Sequence, residues 1–186
     1  AASDVYKRQG FNCRGKLGIP MGETFDVVDR SDTVIGQASR EEVHRDGLLH
    51  RSAHLLVFDG SGRVLLQKRS MGKDRFPGRW DSSVSGHVDS GEGYDQCIVR
   101  EAMEEIGIRL EATPERLFKI DACEETDQEF TWVYRTHSEG PFTPNEEEIS
   151  EIGWFTSDAV SHLVKTDPES LSPSFTLVWS KLLKRR

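Results

Sequence analysis

One segment limits what this chain can fold into more than any other, the run from Gly86 to Ile108, which reads G-x5-E-x7-R-E-A-M-E-E-I-G-I. Along its second half, apolar residues recur at i, i+4 and i+8, a spacing that places them on one face of an α-helix. These residues are Ile98, Ala102 and Ile106. The pattern predicts a helix over Tyr94 to Ile106 that ends at Gly107. The segment therefore has to fold as a glycine-containing loop that leads into a helix with one buried stripe.

The acidic residues of the same helix point to a metal site. Glu101, Glu104 and Glu105 are at i, i+3 and i+4 and share one face, where three like charges repel one another unless a cation is present. Hard divalent cations prefer carboxylate oxygens, so the pattern indicates an Mg²⁺ site, with Mn²⁺ as the alternative ion. Arg100 neighbours this face and can pair with Glu92, which would hold the loop against the helix. Such a site suits the attack of water on a diphosphate.

The spacing matches every fixed position of the Nudix box, and on these residues the chain resembles the Nudix hydrolases. The resemblance implies an α/β fold, an α/β/α sandwich with a mixed sheet. It also implies hydrolysis of a nucleoside diphosphate derivative or another small organic diphosphate. The metal ligands that it implies are Glu101, Glu104, Glu105 and the carbonyl of Gly86. The catalytic candidates on the helix are Glu104, Glu105 and Arg100, the last as the structural partner of Glu92.

The resemblance extends beyond the box to the isopentenyl-diphosphate isomerase-like branch of the family. It is carried by residues 25–29, 42–47, 49–51, 67–70 and 73–78. His50 and His87 fall where the isomerases bind a metal through histidine, and His44 is within one residue of such a position. Glu146 and Glu148 match a late acidic pair of these enzymes. The resemblance therefore makes His87 a candidate metal ligand and Glu148 a candidate ligand or catalytic base.

Two positions depart from the isomerase pattern. Ser85 stands where the isomerases have their catalytic cysteine, and a hydroxyl is a far weaker acid than a thiol near neutral pH. Ser174 stands where they have an active-site tryptophan. Isomerases often have an incomplete Nudix box, whereas the box of this chain is complete. These differences favour a diphosphate hydrolase, with isopentenyl-diphosphate isomerase and a non-catalytic Nudix-fold binding module as the alternatives.

A basic loop follows the predicted fourth strand. It contains Arg69, Lys73 and Arg75, which could bind the diphosphate of a substrate. Surface solubility is an equal alternative for these charges.

The composition restricts the partners of the chain. Its 186 residues have a net charge of −8 and are 35% hydrophobic, which predicts one domain with a real core. The negative charge argues against a nucleic-acid polymer or an anionic membrane, and no apolar run approaches the roughly 20 residues of a spanning helix. Three isolated cysteines favour a reducing cytoplasm. We therefore expect a small-molecule diphosphate as partner, and leave a homodimer open because dimers are common among oligomers.

The first residues do not fit the rest of the chain. Residues 1–9 resemble one reading frame of a DNA sequencing adapter, and residues 10–20 have no periodicity. We therefore expect residues 1–20 to be an artefact or a disordered tail, Met21 to be the native start, and residues 21–186 to form the Nudix domain.

Alternation and turn residues predict the remaining elements. The expected strands lie near residues 25–30, 33–37, 50–59, 63–68, 80–88, 108–110, 117–122 and 129–135. Further helices are expected over residues 40–45, from a cap at Ser157 to about residue 165, and from Pro173 onward. No element is assigned between residues 145 and 156.

Overall fold

The computed structural model describes residues 23–185, so the adapter-like segment, the expected tail and Met21 lie outside the described residues. The strands are β1 (Thr24–Val28), β2 (Val34–Ser39), β3 (His50–Phe58), β4 (Val64–Arg69), β5 (Trp80–Asp81), β6 (Val84–His87), β7 (Glu115–Ile120), β8 (Glu129–His137) and β9 (Ile149–Phe155). The helices are α1 (Arg40–Asp46), α2 (Tyr94–Ile106), α3 (Ser157–Thr166) and α4 (Pro173–Leu183), with a 3-10 turn at Pro168–Ser170. Within this part of the chain, none of the helices has both the length and the hydropathy that a bilayer crossing demands.

Seven of the strands form one mixed sheet. Its path runs β5-β4-β3-β8-β7, with β6 paired to β3 and β9 paired to β4. The sheet is mixed because β3 and β8 are parallel, whereas the other pairings are antiparallel. In the parallel pair His50 lies opposite Glu129, so the beginnings of two distant strands meet at one end of the sheet. The strands β1 and β2 form a separate antiparallel pair.

Helices cover both faces of the large sheet. On one face, α2 packs its apolar stripe against Leu55 and Leu65 of β3 and β4. On the other face, α3 and α4 pack against Leu56 and Leu66 of the same strands. Alternate residues of a strand face opposite sides, so strands that are covered on both sides are apolar throughout. The expected α/β/α sandwich with a mixed sheet is confirmed.

The structure corrects three details of the element predictions. Residues 108–110 are not a strand, because the amide of Ile108 donates to the carbonyl of Ala102 and the segment caps α2 instead. The strand β9 was not expected, since its sequence ISEIGWF includes glutamate and glycine, which have low strand propensity. It is ordered by pairing with β4. The cap of α3 is Thr156, whose hydroxyl accepts from the amide of Ala159, and Ser157 is the first helical residue.

Candidate active site

The strand β6 approaches the helix α2 closely at Gly86. A Cβ atom at Gly86 would lie 2.1 Å from Cδ of Glu101 and 2.2 Å from its Oε1, far inside a normal contact distance. The backbone at Gly86 and the carboxylate of Glu101 are therefore direct neighbours. Because a Cβ there would displace the side chain of Glu101, the first glycine of the sequence motif reflects a close approach between β6 and α2.

Arg100 connects the loop to the acidic face of α2. Its guanidinium donates two hydrogen bonds to Glu92, Nε to Oε1 at 3.0 Å and Nη2 to Oε2 at 2.8 Å. Nη1 donates to Glu101 at 2.7 Å and to Glu104 at 2.9 Å, and Nη2 also donates to the carbonyl of His87 at 3.1 Å. The predicted pair with Glu92 is present, and the same side chain also orients two of the three glutamates.

The three glutamates of the acidic face have different environments. Glu104 is exposed, Glu101 is largely buried, and Glu105 is buried with 2% of its surface accessible. Burial raises the pKa of Glu105 to about 8, and the charge of Glu101 adds to this shift. Burial also raises the pKa of Glu101 to about 7, although Arg100 opposes the change. Glu148 contributes to both shifts, so its carboxylate lies near both groups.

A second group of side chains lies beside this face. His44 of α1, His50 of β3 and His87 of β6 place one ring nitrogen each within 4.8 Å of one another. Phe25 stacks on the rings of His50 and His87, with centroids 5.9 and 4.6 Å away. The capping box between Ser39 and Glu42 begins α1, the helix that carries His44. The ring of His87 therefore belongs to a cluster with Phe25, His44 and His50.

Glu129 completes the histidine cluster. Its Oε1 lies 2.9 Å from Nε2 of His87 and 3.5 Å from Nε2 of His50. Although burial opposes its charge, these histidines hold the pKa of Glu129 well below its ordinary value. Nδ1 of His44 lies 2.9 Å from Oδ2 of Asp127, whereas Nε2 of His44 has no hydrogen-bond partner within the described part of the chain. Buried nitrogens without such partners are available as ligands for a metal ion.

The basic residues at the end of β4 and in the following loop are each held by an acidic side chain or a carbonyl. Nζ of Lys73 lies 2.5 Å from Oε2 of Glu148. Arg75 forms an ion pair with Asp127. Arg69 donates to the carbonyl of Arg75 at 2.9 Å. These pairs hold the loop over the acidic face and keep its positive charges at the site.

One cavity of about 290 Å³ joins these groups. Ten of the residues that the sequence indicated line it, and they are Arg69, Lys73, Arg75, Gly86, His87, Arg100, Glu101, Glu104, Glu105 and Glu148. His44 lines it as well, whereas Glu146 is not among the lining residues. The cavity therefore has an acidic wall and a basic wall, an arrangement that suits a metal ion and an anionic ligand together.

Among the residues at or beside the site that the sequence did not indicate are Glu129, Asp127 and Gln67. Glu129 and Asp127 come from the turn and strand after β7, and Gln67 is a buried residue of β4. Only the parallel pairing of β3 with β8 shows that Glu129 stands beside His50. A polar residue in the apolar run of β4 was the one available signal for Gln67.

No cysteine thiol lines the cavity in the described part of the chain. Ser85 lines it at the position of the isomerases' cysteine. Cys97 is buried in α2, and burial raises the pKa of its thiol. The thiol of Cys97 donates a hydrogen bond of 3.3 Å to the carbonyl of His87, which is a structural role.

The sequence is similar to known proteins over most of its length. The family profile described as NUDIX domain matches residues 48–175. A Yersinia pestis protein named as an uncharacterized Nudix hydrolase is 36% identical over 142 residues, which are 75% of this chain and 76% of that protein. A prenyl-diphosphate phosphatase of Methanosarcina mazei is 36% identical over 151 residues, which are 79% of this chain and 87% of that protein.

The fold is also similar to solved structures. The crystal structure of DR0079 from Deinococcus radiodurans has a TM-score of 0.76 and 26% identity, and covers 86% of this chain and 98% of that chain. The crystal structure of a MutT protein from Methanosarcina mazei has a TM-score of 0.60 and 19% identity, and covers 72% of this chain and 92% of that chain. The second likeness concerns the fold alone.

Proposed function

The chain belongs to the NUDIX domain family and is a Nudix-type diphosphate hydrolase, and from this premise we propose that it cleaves a small organic diphosphate with Mg²⁺ as its metal. Mn²⁺ is the alternative ion. The observation that carries the proposal is the shared cavity, where the acidic face of α2 lies opposite the basic loop. The acidic face suits the cation, and the basic loop suits the phosphate oxygens.

The donor set fits a hard divalent cation. Burial raises the pKa values of Glu101 and Glu105, neighbouring carboxylates add to both shifts, and a bound cation would offset this cost. Oxygen ligands are those that Mg²⁺ and Mn²⁺ prefer. We assign Glu101, Glu104 and Glu105 as the ligands, with the carbonyl of Gly86 beside them. When bound, the cation would neutralise phosphate oxygens and lower the pKa of the attacking water.

The basic loop binds and orients the diphosphate. Lys73 and Arg75 are paired with Glu148 and Asp127, and phosphate oxygens would replace these carboxylates at the same nitrogen atoms. Arg69, which donates to the carbonyl of Arg75, holds the loop in place during this exchange. The loop therefore supplies the positive charge that an acidic chain otherwise lacks.

Glu148 is our candidate for the base. Once Lys73 binds phosphate, the carboxylate of Glu148 is free to accept a proton from the attacking water. The water oxygen forms a bond to one phosphorus, the bridging P–O bond breaks, and a phosphate or an organic monophosphate leaves. Glu104 and Glu105 are the other candidates for this role. Arg100 keeps the acidic face in position through its bonds to Glu101 and Glu104.

The histidine cluster is the candidate for a second metal centre. His44, His50, His87 and Glu129 offer three imidazoles and a carboxylate, and Nε2 of His44 has no hydrogen-bond partner within the described residues. Imidazole ligands favour transition ions such as Zn²⁺ over Mg²⁺. This assignment moves His87 from the magnesium site to a neighbouring one.

A similar protein, and not the geometry of the site, supports the choice of substrate. The relative named prenyl-diphosphate phosphatase makes prenyl diphosphates the first class to test, with nucleoside diphosphate derivatives as the second. Ser85 in place of a cysteine argues against the isomerase reaction, because the proton donor of that reaction would be missing.

One screen separates these possibilities. Release of phosphate would be followed with Mg²⁺ on prenyl and nucleoside diphosphates, and the prenyl product would be checked for isomerisation. We expect hydrolysis of at least one substrate, with the rate lowered at least 100-fold in Glu105→Gln and in Glu104→Gln. An isomerised product without phosphate release, or unchanged turnover in both variants, would overturn the proposal.

A further inference from the structure

We propose that Gln67 is a positioning residue for the carboxylate of Glu105, and this inference rests on the proposed metal site. Nε2 of Gln67 donates a hydrogen bond of 2.8 Å to Oε2 of Glu105. The backbone amide of Ser85 donates to the same oxygen at 3.0 Å. Two donors from two different strands therefore hold one oxygen of a side chain on α2.

The two donors leave the other oxygen of Glu105 available. Neither of them contacts Oε1 of Glu105, and the carboxylate lines the cavity. Because both donors bind one oxygen, they fix the rotation of the carboxylate and decide which oxygen faces the cation. Partners of this kind, which orient a ligand without touching the metal, change metal affinity when they are removed.

The location of Gln67 is unusual for a polar side chain. It is 1% exposed and follows Val64, Leu65 and Leu66, all of which are buried. By strand alternation it shares the face of β4 with Leu65, which packs against α2. A buried amide is unfavourable without hydrogen bonds, and Oε1 of Gln67 has no partner within the described residues. An apolar residue would pack better there, so the contact with Glu105 accounts for the glutamine.

Gln67 does not line the cavity, so it acts through Glu105 and not on the substrate. Its effects on Mg²⁺ binding and kcat should therefore be separable from any effect on substrate binding. Loss of the amide should weaken binding of Mg²⁺ and lower kcat, and should leave the KM for the diphosphate within about twofold when Mg²⁺ is saturating. A residue with a merely structural role would lower stability and leave the dependence on Mg²⁺ unchanged.

The test is a titration with Mg²⁺ alone, read as the rise in melting temperature without substrate. Mg²⁺ is chosen because the histidine cluster is a poor site for it. Gln67→Met keeps the length of the side chain but has no donor, and Gln67→Asn keeps the amide but withdraws it by one methylene. We expect the half-saturating Mg²⁺ concentration to rise 10–100-fold in both variants.

Ser83→Ala is the matched control. Ser83, between β5 and β6, is also fully buried, bonds to Val57 and Leu65, and is not among the cavity residues. It should lower the melting temperature without changing the half-saturating Mg²⁺ concentration. Wild-type Mg²⁺ binding in either folded Gln67 variant, or an equal loss in the control, would overturn the inference. If wild-type protein binds Mg²⁺ in this Gln67-dependent way but hydrolyses no diphosphate, the proposed function fails and the inference about Gln67 stands.

Discussion

Nε2 of His87 and Oε1 of Glu129 are 2.9 Å apart, although the two residues belong to strands that do not pair with each other. The contact exists because β3 pairs with both strands, with His50 opposite Glu129 and Ser52 opposite His87. One central strand thus brings together a histidine from the motif segment and a glutamate from a distant part of the sequence.

We expect Glu129→Gln to weaken binding of Zn²⁺ to the histidine cluster by about 10–100-fold, since it removes a carboxylate that contacts two of the rings. Isothermal titration with Zn²⁺ measures this directly. Glu146→Gln, an acidic residue that does not line the cavity, is the control and should bind Zn²⁺ like the wild type. Equal affinity in all three proteins would contradict a metal centre at the histidines.

Gly86→Ala should reduce the rate of diphosphate hydrolysis at least 100-fold. The added Cβ would meet Glu101 at 2.1 Å, so the carboxylate or the strand has to move, and small displacements at a reacting centre are costly. Steady-state kinetics and a thermal melt would be compared with Gly36→Ala, where a Cβ meets no atom within 4 Å. Full activity of a folded Gly86→Ala protein would show that the close approach is unimportant.

Lys73→Met should raise the KM for the diphosphate about tenfold, because one phosphate-binding charge is lost while the apolar stem of the side chain is kept. Lys68→Met is the matched control, since Lys68 pairs with Glu151 and does not line the cavity. Initial rates over a range of substrate concentrations separate KM from kcat. A larger change in the control than in Lys73→Met would assign the basic loop to solubility.

Asp32 should make the protein sensitive to acid. Although burial opposes its charge, hydrogen bonds from Lys119, Arg51 and Tyr94 hold the pKa of Asp32 below its ordinary value. A carboxylate whose pKa is lowered in the folded state stabilises the protein at pH values above the pKa that the same group has in the unfolded chain. This stability is lost as the pH falls through the folded pKa.

Asp32→Asn should therefore lower the free energy of unfolding at pH 7 by about 1.5–3 kcal/mol. Below about pH 4, the free energy of unfolding of the variant should decrease less steeply with falling pH than that of the wild type. Urea titrations from pH 7 to pH 2.5 measure both effects. Glu111→Gln, an exposed acidic residue, should follow the wild-type curve. Parallel curves for Asp32→Asn and the wild type would show that this carboxylate does not govern acid stability.

The motif segment was predictable in detail because its signals are local. The helix α2 runs over Tyr94–Ile106 as expected, its stripe is buried, and Arg100 bonds to Glu92. Hydrophobic periodicity and glycine caps act within a few residues of one another, so they can be read without the rest of the fold. The strand β9 could not be predicted in this way, because its order depends on pairing with β4.

The sequence by itself indicated the family, the acidic face of α2 and ten of the residues that line the cavity. Only the tertiary structure decided how they differ: that Glu105 is buried and Glu104 exposed, and that His87 joins a separate cluster with Glu129. The physical reason is that residue spacing along a helix specifies a shared face. The burial, the pKa values and the hydrogen-bond partners of the side chains on that face depend on which strands the sheet places beside it.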